Sequence, residues 1–154
     1  MARLRFTVPT TAEVALTTGV KTILQIGAPA NCRVALRGFQ VSFDGVSSTA
    51  GVALVELCLQ TTASTQAGTA ATAFKDVMGT TEAIQTTSLV NFTVEPTLVS
   101  IIRAYNVIPQ TGYERAFAPD EEIEVSGGSR VGLRATGWAG STTVNVAAHL
   151  FCEE

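Results

Sequence analysis

Apolar and polar residues alternate along most of this chain. Leu4, Phe6 and Val8 stand opposite Arg3, Arg5 and Thr7, and Pro9 ends the run. Side chains of a strand point to opposite faces in turn, so this pattern predicts a half-buried strand or an N-terminal arm. Val20, Thr22, Leu24 and Ile26 oppose Lys21, Ile23 and Gln25, and Val34 and Leu36 alternate with Arg33 and Arg37. The phase then changes at Gly38, after which Phe39, Val41 and Phe43 share a face. A glycine at a phase change predicts a β-bulge, which adds one residue and exchanges the faces.

Val52 to Leu59 is apolar on both faces except at Glu56. Such a run predicts a central strand covered on both sides. Thr61 to Ala73 is compositionally simple and predicts a long loop, with a short helical turn in its Ala-rich part. Further strands are expected at Leu89 to Val94 (stopped by Pro96), Leu98 to Ile108 (stopped by Pro109) and Tyr113 to Phe117. Others are expected around Ile123, at Val131 to Ala135, and at Val144 to Leu150. Turns fall at Asp44-Gly45, Gln110 to Gly112, Gly127-Gly128 and Gly137 to Ser141. The sum is eight to ten strands with no amphipathic helix. Strands at this spacing predict an all-β antiparallel sandwich or jelly roll. Residues 1–154 read as one domain, with 1–12 an N-terminal arm or an edge strand.

Composition adds a hint about assembly. Charged residues make up 15% of the 154 positions and hydrophobic residues 46%. The usual charged share is about 25%. A surface filled with Thr, Ser, Ala and Gly predicts that part of it is covered by other copies or by a lasting partner. The net charge is −3 and there is no basic cluster, which argues against nucleic acid. The apolar runs are too interrupted to span a membrane as helices. The start of the chain lacks the apolar core and cleavage site of a signal peptide, so synthesis in a cytoplasm is expected.

Candidate chemistry is sparse. His149, the single histidine, lies in the last strand and has no evident orienting partner. No G-x-S-x-G elbow occurs. Asp120, Glu121, Glu122 and Glu124 cluster in "PDEEIEV". They lack the ligand spacing of a calcium loop and read as a solvated strand face, with salt bridges to Arg130 or Arg134 on a neighbouring strand. Cys32, Cys58 and Cys152 lack zinc spacing; Cys58 and Cys152 lie in apolar runs and read as buried small hydrophobes. "GGSRVGL" lacks the Lys-Ser/Thr of a phosphate loop. No catalytic residue, metal or cofactor is expected. Trp138, flanked by glycine, is either an exposed anchor for a sugar or protein or a plug for the end of the sandwich. The candidate interface residues are Arg3, Arg5, Phe6, Asp44, Glu122 and Trp138.

Several segments in order carry a resemblance: "RGFQVSFDGVSSTAGVALVELCLQTTAST", "LVNFTVEPT", "IPQTGYERAFAPDEEIEVSGGSRVGLRATG" and "AHLFCEE". Roughly from Arg33 to Glu154, the chain resembles the capsid decoration, or cement, proteins of tailed bacteriophages. The resemblance implies a jelly-roll β-sandwich and a homotrimer on the outer surface of an icosahedral head. It implies binding to the major capsid protein, and no enzymatic activity. The alternative is a carbohydrate- or receptor-binding sandwich, such as a phage tail-fibre head domain, since one fold hosts both roles.

Overall fold

The computed structural model describes residues 4–16, 18–45, 51–61, 68–76, 81–138 and 144–154. They contain thirteen strands and no helix. The first six are β1 (Arg5–Pro9), β2 (Val14–Leu16), β3 (Val20–Gly27), β4 (Val34–Asp44), β5 (Ala53–Gln60) and β6 (Thr69–Ala70). Next come β7 (Phe74–Lys75), β8 (Thr87–Val90), β9 (Leu98–Val107) and β10 (Tyr113–Ala116). The last are β11 (Ile123–Val125), β12 (Arg130–Thr136) and β13 (Val144–Glu153).

Two antiparallel sheets pack face to face. The first runs β10-β4-β13-β1-β7, with β11 also on β4 and β2 on β13. The second runs β6-β8-β3-β12-β5-β9. Setting aside β2, β6, β7 and β8, none longer than four residues, eight strand positions remain. Counting β10 and β11 as one position, their order is 1-8-3-6 in one sheet and 2-7-4-5 in the other. That is the strand order of a jelly roll, two Greek keys wound together. The expected eight to ten strands are these eight plus short edge pieces.

Alternation places the core. Phe6, Val8, Leu36, Phe39, Val41, Leu57, Leu133 and Leu150 point between the sheets and are almost wholly buried. The bulge expected at Gly38 is present: Phe151 faces Gly38 and Cys152 faces Leu36, so Arg37 is the extra residue. Glycine is required there for a second reason. A Cβ would collide with the carbonyl oxygen of Arg115 and lie 3.0 Å from Ala116 Cα.

Two expectations change. The strand predicted over Leu89 to Val94 ends at Val90, because Asn91 takes a left-handed φ of 54° and turns the chain. The Ala-rich part of Thr61 to Ala73 forms no helical turn among its described residues; Thr69–Ala70 pairs with β8 instead. Residues 62–67 lie outside the described residues.

The turn at Asn91 redirects the chain across a sheet. β8 lies beside β3 and β9 beside β5, four strand positions apart. Four spacings are about 19 Å, and the seven residues 91–97 reach about 24 Å when extended. The inner face is filled, so this strap passes over the outer face of the second sheet. Glu95 fastens it to β3: its Oε2 accepts from Thr22 N at 2.7 Å, and Lys21 Nζ lies 3.4 Å from its Oε1. Phe92, 2% exposed, lies outside the main core cluster. Thr22, Gln25, Glu56, Cys58 and Gln60 are buried on this outer side. Buried polar groups need partners. Gln25 Nε2 donates to Gln60 Oε1 at 2.8 Å, and Gln60 Nε2 donates to Thr22 Oγ1 at 3.0 Å. Glu56 accepts from Arg134 Nε at 2.7 Å. The central position expected for β5, covered on both faces, is therefore correct.

Candidate interaction surface

The predicted interface residues separate into different environments. Arg3 lies outside the described residues. Phe6 is wholly buried between β1's neighbours and the opposite sheet, so its ring is core rather than interface. Strand β1 is neither a free arm nor a bare edge: β13 pairs with all five of its residues, and β7 covers part of its other side. Asp44 closes β4 in a turn, its Oδ1 accepting from Gly45 N at 2.7 Å while Gly45 adopts φ of 74°. That agrees with a turn at Asp44-Gly45; residues 46–50 lie outside the described set. Trp138 is half-buried and packs against the core cluster and beside Gly51, which favours the plug over the exposed anchor.

Arg5 and Glu122, far apart in sequence, belong to one charged chain. Arg5 Nε lies 3.1 Å from Glu153 Oε2, Arg37 Nη1 lies 3.7 Å from the same oxygen, and Arg37 Nε lies 3.1 Å from Glu122 Oε1. These groups cross β1, β13 and β4 to the start of β11. The salt bridges expected from the acidic cluster to Arg130 or Arg134 do not form. Strand β11 joins β4 in the first sheet, whereas β12 lies in the second. The acidic cluster pairs instead with Arg33, Arg37 and Arg115, at 3.2, 3.1 and 3.1 Å.

No catalytic geometry emerges around the remaining candidates. His149 Nδ1 lies 3.2 Å from Gln40 Oε1 on an open sheet face. Among the described residues, no three metal-ligating side chains converge. All three cysteines are free. Burial pushes the Cys58 thiol up to about 11 and raises Cys152 further. Cys32, half-buried, is raised by burial and then by the charge of Glu154. Such thiols are poor nucleophiles near neutrality.

The longest run of exposed apolar side chains lies elsewhere, on β9, while Val20, Phe74 and Val94 are exposed at separate places. This ten-residue strand pairs only with β5 and forms the edge of the second sheet. Leu98, Val99, Ile101 and Ile102 are 38 to 54% exposed. At its far end, Ile108 and Val52 are 59% and 54% exposed and follow the pair Val107↔Ala53. Natural edge strands are usually short, charged or covered. This one has a single charged residue, Arg103, which is occupied: its Nη2 donates to the Glu121 carbonyl at 2.6 Å, and its guanidinium sits 4.5 Å from the Phe117 ring centre.

Two register shifts make Val99 and Ile102 extra residues opposite β5. Bulges interrupt the outward row of backbone donors and acceptors, so this end offers apolar side chains rather than a ladder for strand addition. The sequence reading identifies Leu98 to Ile108 as a strand but not as an edge, since strand order is invisible in alternation. The available signal was its apolar residues on both faces, which also characterise a buried central strand. No family model, curated protein or solved structure matches the chain.

Proposed function

We propose that the protein is a structural component of a virus particle: a decoration protein that binds the outer surface of an icosahedral phage head as a homotrimer and stabilises the shell. The observation that carries this reading is the long apolar edge of β9. Burying a large aliphatic side chain contributes about 1.5–3 kcal/mol when fully exposed beforehand, so half-exposed residues contribute about 1 kcal/mol each. A row of them on one edge favours lasting assembly over a transient encounter. The segment resemblance supports the choice of partner, the major capsid protein.

In this reading the protein acts by binding, without turnover. A trimer that contacts several shell subunits at once sums weak contacts through effective concentration. A ligand that binds the assembled shell and not its separated parts stabilises the shell by linkage. The anchor role of Trp138 that a sugar-binding reading would use is disfavoured by its packing against the core. The test is to titrate purified protein onto undecorated heads. The expected result is co-sedimentation and a higher head-disruption temperature, with a trimer by sedimentation equilibrium. A protein that neither sediments with heads nor changes that temperature is not their decoration protein.

A further inference from the structure

The second sheet ends in two different apolar flanks. One is β9. At the opposite end, where the chain passes from β6 to β7, lies a groove of about 390 Å³. Ala70, Ala71, Ala73, Ile84 and Leu89 supply its apolar lining. Three hydroxyls share the lining, and each is already satisfied within the chain. Ser88 Oγ donates to the Ala71 carbonyl at 2.8 Å, Thr87 Oγ1 to the Gly27 carbonyl at 3.3 Å, and Thr86 Oγ1 to Glu154 Oε2. Among the described residues, no charged side chain lines the groove. An occupant therefore needs apolar surface and no polar partner. Strand β9 has that character, since its one charge, Arg103, is held by the Glu121 carbonyl and the Phe117 ring.

The two flanks stand at one height. A single cross-strand row runs Ala70, Leu89, Gln25, Gly132, Cys58, Ile101 over all six strands. Ala70 and Leu89 line the groove at one end of the row, and Ile101 is 49% exposed at the other. Side chains in one row share a side of the sheet. Ala70, Leu89 and Ile101 thus lie on the outer side, with Gln25 and Cys58. Five strand spacings, about 24 Å, separate the two ends. The groove cannot receive the β9 of its own chain.

We propose that the groove of one copy receives β9 of a second copy, centred on Ile101, and that three such contacts close the homotrimer. Three-fold symmetry requires a heterologous contact, in which each copy presents two different patches that fit each other. Equal height lets copies join without a step along the strands, as a closed ring needs. Both patches lean toward the outer face of the sheet, so successive copies turn toward that face and the ring closes. Size agrees. The exposed aliphatic residues of β9, with Ile108 and Val52, leave roughly 500 Å² open, so covering them with an equal area buries about 1,000 Å², where specific interfaces begin. This deepens the reading above, on which it rests for the trimer.

Two variants, each spoiling one flank, test the contact. Ala70→Trp fills the groove and keeps β9, whereas Ile101→Lys charges β9 and keeps the groove. Both positions are exposed, so both proteins should keep the wild-type unfolding midpoint. In sedimentation velocity, wild type should run as a trimer and each variant alone as a monomer. An equimolar mixture at high concentration should give dimers and nothing larger. One intact β9 then meets one intact groove, and the other pair is spoiled on both sides. Ala70→Glu repeats the first arm if tryptophan impairs folding. Ala70 variants that assemble like wild type overturn the proposal, because β9 would then pack somewhere other than the groove. A mixture that stays monomeric overturns it too, as does a monomeric wild type.

Head binding separates the two readings. Trimers that pass the mixing test but do not sediment with heads sink the decoration role and leave this contact standing. A protein that coats heads but fails the mixing test loses this contact and keeps the role.

Discussion

Gly132 shows how tightly single residues are fitted on the outer side of the second sheet. A Cβ there would collide with the side-chain amide of Gln60, which is hydrogen-bonded to Gln25 and Thr22. Gln60 is buried, so it has no solvent to turn toward. Gly132→Ala should therefore cost about 2 kcal/mol, combining overpacking with a broken buried hydrogen bond. A urea midpoint within error of wild type would show that the network can rearrange. Cys58 makes a different prediction. Its thiol titrates near 9 when unfolded and at about 11 when folded, because burial disfavours the thiolate. Stability from keeping it neutral is whole below pH 9 and is lost as pH rises from 9 to about 11. The stability difference between wild type and Cys58→Ala should shift against wild type across that window. Parallel loss in both proteins would rule the thiol out as a cause.

Among elements, β9 carries the main prediction. In the homotrimer proposed above, Ile101→Lys and Ile102→Lys, each on the exposed edge, should abolish self-association while leaving the monomer's unfolding midpoint nearly unchanged. A buried position could not accept lysine so cheaply. Sedimentation velocity on wild type and both variants checks this; assembly that persists in both moves the interface away from β9. The same strand shows where sequence legibility stops. Alternation located β3, β5, β12 and β13, and the phase change at Gly38 located a bulge, because those signals are local. It could not place β9 at an edge and β5 at the centre, since strand order is not written in the alternation. The outer-facing Glu56, Cys58 and Gln60 of β5 are buried, whereas Val99, Ile101 and Ile102 of β9 are exposed. The strap was missed because its cause is one backbone angle, at Asn91, in a segment whose apolar residues continue a strand pattern. The partners of Glu122 were missed for a related reason: pairing with β4 rather than β12 is a property of topology. Of the candidate interface, Phe6 was legible as apolar but not as core, and Trp138 was legible only as anchor or plug, of which its packing favours the plug.

At the scale of the whole molecule, the jelly roll joins distant parts of the chain. Strand β1 pairs with β13, and β3 with β12, so few strong contacts are local. Loop-closure entropy must be overcome before these pairs form, and folding should be slow, on the order of milliseconds to seconds. Stopped-flow refolding checks this, and a microsecond phase carrying the full amplitude would contradict it. The pairing of β1 with β13 has a mechanical side as well. Leu4 and Glu154 exchange two backbone hydrogen bonds, at 2.8 and 3.0 Å, at the open end of that pair. Tension applied between those two residues would load the bonds one after another, as a zipper opens, and not all together in shear. The molecule is thus weak along that line. A protein asked to hold against outward force should receive its load through strand edges and faces, where many bonds strain at once.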